Sequence, residues 1–305
     1  MQNIRITKRI YDESKKENFD CSNVVDFINK HELTYLGKGA DATVVKLIDN
    51  VPMALKVMSY NSSENYIRPR GKHVHLKDNR YIKNMLMTLD FMKEANETGF
   101  EYFPYIYEVL NCPVFDDCVE KECTEGNSKV YIFYEVFDGT LEKLILEIKY
   151  PSEWYDIIFQ MALTNYYMEV LNGYRYKDAK PKNILYKKLP KMKIQEYELD
   201  GQKVSVKHNY VVVLWDFNYL EKITPENKHL VISNIEFLLR YLRTTPEIPN
   251  PPNWRMMKLL RELRHNPENT HAILRKYYLV PSDSCKAAVN TGRLNWEPCS
   301  QVLQL

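Results

Sequence analysis

The sequence predicts an α+β chain of two successive units, a small antiparallel sheet interrupted by one helix and then a mainly helical unit. Three observations carry that expectation. The 305 residues make about two domains of ordinary size. Residues 32–58 hold three short runs rich in Val, Leu, Ile and Tyr, the texture of strands. Past Gly139 apolar residues recur at helical spacing. Composition is that of a folded globular chain, 45% hydrophobic and 27% charged, and a formal net charge of +2 gives no field that argues for nucleic acid or a membrane as the main partner. Apolar stretches such as Val211 to Trp215 fall far short of the roughly 18 residues a membrane span needs.

Residues 1–30 read as a polar extension with a short helix near Val24 to Asn29. They lack the apolar core of a secretory signal, so the chain is expected inside a cell. Strands follow at Glu32 to Gly37, Thr43 to Ile48 and Met53 to Met58, with Asp49-Asn50 as the turn between the last two. After a polar, basic stretch, Ile82, Met85, Leu86, Leu89 and Met92 form the apolar stripe of a helix over Tyr81 to Asn96. Phe103 to Leu110 and Val130 to Phe137 read as two more strands. The first unit is thus expected over 31–137 and the second over 138–280, with a loose tail at 281–305.

In the second unit, Leu141 to Ile148 reads as a short helix and Trp154 to Leu171 as a long one. Asp200-Gly201 between alternating runs signals a hairpin, and its second strand runs into VVVLW. Helices are expected at Asn234 to Leu242 and Arg255 to Arg264, separated by a proline-rich loop. The six cysteines, with no CxxC pair, are read as reduced thiols. Cys112, Cys118 and Cys123 cluster, but at wider spacings than zinc pairs use.

Four constellations carry chemistry. GKGADATVV, with Gly37, Gly39, Ala42 and Val44, lies between two strands. It is a bare hairpin turn or a backbone flap that can close over phosphates. MALKVM places Lys56 in an apolar strand; it points to water or, on the inward face, needs an anion. YKDAKPKNILY carries Asp178, Lys180 and Asn183 on one loop. There a carboxylate can orient a hydroxyl, an ammonium can meet a transferring phosphoryl group and an amide can hold a divalent ion. WDFN puts Asp216 at the end of a buried strand, a natural place for a magnesium ligand.

In this order the four resemble the motifs of the eukaryotic-type protein kinases, a glycine-rich loop, VAIK, HRDLKPxN and DFG. The resemblance covers roughly Glu32 to Leu242 and implies a bilobal kinase-like fold acting with ATP and Mg2+. By that resemblance Lys56, Asp178 and Lys180 would be catalytic: Lys56 on the α and β phosphates, Asp178 as base, Lys180 on the γ-phosphoryl. Asn183 and Asp216 would bind magnesium. Gly37, Lys38, Gly39, Ala42, Val44 and Ala54 would enclose the nucleotide. Tyr134 would be the gatekeeper, with Glu135, Val136 and Phe137 meeting adenine through backbone groups. Glu94 would pair with Lys56, with Asp90 and Glu97 as alternatives.

Departures from the pattern narrow the reading. Tyr176 and Lys177 stand for the histidine and arginine of HRD, Asn218 for the glycine of DFG, and Ala42 for the third glycine of the loop. Only eighteen residues separate Asp216 from Asn234, without an APE motif, so the activation segment is short. In this the chain is similar to the minimal protein kinases of large DNA viruses. The implied function is a serine/threonine protein kinase acting on protein substrates in the cytoplasm or nucleus of a host cell, or packaged in a virion. A kinase-fold scaffold without activity and a small-molecule kinase are the alternatives. A nucleic-acid module rests only on the basic stretch IRPRGKHVHLKDNRYIK, which a solvated loop explains as well.

Overall fold

The computed structural model describes residues 21–38, 42–48, 52–61, 79–113, 127–150, 153–176, 179–215, 220–226, 234–245 and 248–278. Asp178, Asp216, Gly39, the Asp49-Asn50 turn and the tail at 281–305 lie outside these residues. The fold is α+β with antiparallel sheets. The chain divides into two compact units, Met1–Val136 and Phe137–Leu305.

The first unit is built on a five-stranded sheet of order β1-β2-β3-β5-β4. Its strands are β1 (Glu32–Lys38), β2 (Ala42–Ile48), β3 (Met53–Asn61), β4 (Ile106–Pro113) and β5 (Asn127–Glu135). Helix α1 (Val24–Asn29) precedes the sheet and α2 (Asn79–Glu97) interrupts it. Alternation along the strands separates two apolar faces. Leu47, Met53, Leu55, Tyr131 and Phe133 form one, which receives Val24, Phe27 and Ile28 of α1. Helix α2 packs on β3 and β4, burying Ile82, Met85, Leu89 and Met92 on the stripe its spacing predicts.

The expectation of reduced cysteines is corrected here, because Cys21 and Cys112 form a disulfide, Sγ–Sγ 2.15 Å and Cα–Cα 5.3 Å. The bond staples the start of α1 to β4. Its partners are 91 residues apart in sequence and meet only because α1 lies on the sheet, which spacing along the chain does not reveal. Cys112 is thereby unavailable to zinc, and among the described residues no cluster suited to a metal ion occurs.

In the second unit, β6 (Gly139–Thr140) leads into α3 (Leu141–Glu147), then α4 (Glu153–Asn165). Helix α4 is buried on nearly every side, the condition of a central core helix. It passes into a π-turn, Tyr166–Leu171, where the sequence predicts unbroken α-helix. Strand β7 (Tyr174–Tyr176), a 3-10 turn (Pro181–Asn183), β8 (Ile184–Leu199) and β9 (Gln202–Leu214) follow. The hairpin turns at Asp200 (φ 47°) and Gly201 (φ 75°), a pair of left-handed residues that Asp-Gly adopts readily. After β10 (Leu220–Lys222) come α5 (Asn234–Thr244), α6 (Trp254–His265) and α7 (Thr270–Tyr278). Helix α4 packs on β9, α5, α6 and α7. Among the described residues no helix is long and apolar enough to cross a membrane.

Candidate functional site

In the first unit, strand register decides which predicted residues share a face. Lys56 lies opposite Val44 on β2 and opposite Ile132 on β5. Ala54 lies opposite Tyr134, and Ala42 opposite Met58. Directly opposed residues point the same way, so Ala42, Val44, Ala54, Lys56 and Tyr134 all belong to one face of the sheet. That face is opposite the one covered by α1. Gly37 pairs with Val44 past an irregularity in β1. Lys56 is only 5% exposed, which removes the alternative that it points to water. A buried ammonium of this kind demands anionic or strong hydrogen-bonding company.

Glu94 does not fill that demand here. It is exposed, as are Asp90 and Glu97, so no carboxylate of α2 lies on the helix face that the sheet buries. The buried positions are Ile82, Met85, Thr88, Leu89, Met92, Ala95 and Asn96. Spacing to Pro104 singles out Glu94, whereas the apolar stripe orients the helix, and the stripe turns Glu94 outward. On β5, Glu135 is buried on the α1 side of the sheet. Its N–H donates to the Tyr105 carbonyl at 3.1 Å and its carboxylate accepts the Tyr105 N–H at 3.0 Å. Val136 and, in the second unit, Phe137 are half-buried.

In the second unit three segments converge. The Asn183 N–H donates to the Lys180 carbonyl at 2.8 Å, closing the 3-10 turn, and the Asn183 carbonyl accepts the Trp215 N–H at 2.8 Å. Ile184 pairs with Leu214, so β8 starts and β9 ends side by side. The Tyr176 hydroxyl donates to the Trp215 carbonyl at 2.7 Å. Asn183 is buried at 8% and Lys180 is exposed. Asp216 follows Trp215 in the chain, and Asp178 lies between the end of β7 and the turn; both stand next to this junction in sequence, and their own positions fall outside the described residues.

Behind the junction lies a buried polar network that motif spacing does not single out. Between Lys188 and Lys193 the strand β8 bulges away from β9, and the backbone there needs substitute partners. Asp156 of α4 supplies them, its carboxylate accepting the N–H groups of Asn209 (2.8 Å) and Tyr210 (3.2 Å). One turn along, Gln160 accepts the Val212 N–H at 2.7 Å and donates to the Tyr210 carbonyl at 2.9 Å. His208 is held between Asp156 (2.6 Å) and the Tyr197 hydroxyl (2.7 Å). The only signal for this in the sequence is a pair of polar residues four apart on an otherwise apolar helix.

No protein-family model matches the sequence. Over 291 residues the chain is 35% identical to a protein of Acanthamoeba polyphaga mimivirus, the uncharacterized protein R691. The match spans 91% of this chain and 99% of the relative. The chain belongs to the family of that mimivirus protein. The R691 family therefore shares nearly the whole chain, both compact units included, rather than one motif-bearing segment.

Proposed function

We propose that this R691 relative is a Mg-ATP-dependent serine/threonine protein kinase with a shortened activation segment. The observation that carries the reading is the junction in the second unit. Pairing of β8 with β9 and the Trp215–Asn183 hydrogen bond set Asn183 beside the residue that precedes Asp216 in sequence, which supports reading the two as ligands of one ion. The buried Lys56, sharing a face with Val44, Ala54 and Tyr134, supports a phosphate-facing ammonium in the first unit. In this reading Asp178 accepts the hydroxyl proton, Lys180 neutralises the transferring group and Asn183 and Asp216 hold magnesium, which supplies charge neutralisation at the phosphates. Antiparallel sheet plus central helix supports a bilobal kinase-like architecture. The viral relative supports a viral source, and the disulfide fits an oxidising setting such as a virion.

The exposed carboxylates of α2 favour one second reading, a kinase-fold scaffold that binds nucleotide without transfer. One experiment separates them: label from γ-labelled ATP, offered with magnesium to a panel of basic and acidic proteins, with Asp178→Asn alongside. Transfer lost by about 10²-fold or more in the variant supports the kinase. Nucleotide binding with no transfer in either protein leaves the scaffold.

A further inference from the structure

We propose that the Arg175–Glu221 ion pair is a fixed electrostatic latch that holds the two segments flanking the candidate catalytic loop in register, so that transfer needs no activating phosphorylation. The inference rests on the kinase reading above and names the regulation of that same site.

Strands β7 and β10 pair over only three residues, Tyr174–Lys222, Arg175–Glu221 and Tyr176–Leu220. A ribbon that short is marginal on its own. At its centre Arg175, 5% exposed, faces Glu221 directly across the ladder. The guanidinium donates to one carboxylate oxygen through Nε at 2.7 Å and again through Nη2. Charge-assisted bonds from a largely desolvated guanidinium are among the strongest a protein makes. The ribbon is extended by the Ile223 N–H to the Gly173 carbonyl at 2.7 Å. Gly173 takes φ 66°, a conformation only glycine reaches cheaply.

Where phosphorylation orders a loop, the new phosphate supplies an anion that captures arginine. Here the anion is a carboxylate encoded in the sequence five residues after Asp216, and its arginine lies three residues before Asp178. The pair brackets both candidate catalytic segments from outside. The Arg175 charge also acts on a second acid, Glu169 of the π-turn, pulling its carboxyl down against the larger opposite effect of burial.

The test uses full-length protein treated with phosphatase and shown by mass to carry no phosphate. That protein is expected to keep full transfer activity, as is the Thr224→Ala, Ser233→Ala double variant. Glu221→Gln is expected to lower kcat about ten-fold, to raise the magnesium concentration needed for half-maximal rate and to speed exchange of the Ile223 amide. Glu221→Asp is expected to restore part of each. Loss of activity on phosphatase treatment overturns the latch. So does a Glu221→Gln protein with unchanged rate, magnesium requirement and Ile223 protection. Failure of the kinase reading looks different: no Asp178-dependent transfer in any variant, whatever the exchange at Ile223, and constitutive transfer falls with it.

Discussion

Glu169 sits in the π-turn with its carboxylate accepting from the Asn165 amide at 3.0 Å. Burial lifts its carboxyl from a usual value of 4.5 to about 7, against the opposing pull of Asn165 and Arg175. The folded state therefore keeps a proton that the unfolded chain has already lost. Stability should fall as pH rises from about 4.5 through about 7 and level off above, by up to about 3 kcal/mol. Urea titrations at pH 5 and pH 8 should show this slope in the wild type and its loss in Glu169→Gln. An unchanged slope in the variant assigns it to another group. Glu94 gives a second prediction, since its exposed side chain lies off the buried face of α2. Glu94→Gln should retain transfer within about two-fold, because surface substitutions away from partners change little. A large loss would mean that α2 turns during turnover. The two residues show what one-dimensional spacing can convey. Lys56 was legible only as a lysine in an apolar strand with two faces to choose from; register with Val44 and Ile132 and its burial, both seen only in the fold, select one. Glu94 was not, because distance to Pro104 fixes position along a helix but not rotation about it.

At the scale of elements, the α4–β9 contact makes the sharpest prediction. Asp156 is 2% exposed and serves two backbone N–H groups, His208 and Gln160 at once. Asp156→Ala leaves those donors unsatisfied in the core and should destabilise the second unit by about 3–5 kcal/mol. A urea midpoint close to wild type would show that water or a shifted β8 replaces the carboxylate. Because β9 ends at Leu214, two residues before Asp216, the same variant should weaken the Mg-ATP-induced rise in Tm. The hairpin itself was readable from Asp200-Gly201, and the helices from their apolar stripes. The three-residue strands β7 and β10 escaped, since three residues carry no usable period and their pairing depends on Arg175 meeting Glu221. Helix α7 escaped as well. Its apolar residues Ile273, Leu274, Tyr277 and Tyr278 make one short stripe next to the tail, and it is packing against α4 that makes it a helix.

For the whole molecule, the two-unit division follows from composition along the chain, strand texture first and helical texture second. The covalent link within the first unit does not, because it joins residues that only folding brings together. Closing a loop of 91 residues restricts the unfolded chain by about 4.6 kcal/mol at 25 °C. Reduction, or Cys112→Ser, should lower the melting temperature of the first unit and leave the second near its wild-type value. Equal melting with and without reductant would show that the thiol form is just as stable. The same bond makes a ring of residues 21–112. A protease that nicks the backbone once anywhere inside this ring therefore cuts the chain without freeing a fragment. The nicked protein would run as one band until a reductant is added and as two afterwards, and Lys56, which lies inside the ring, would stay tethered to its sheet through the cut.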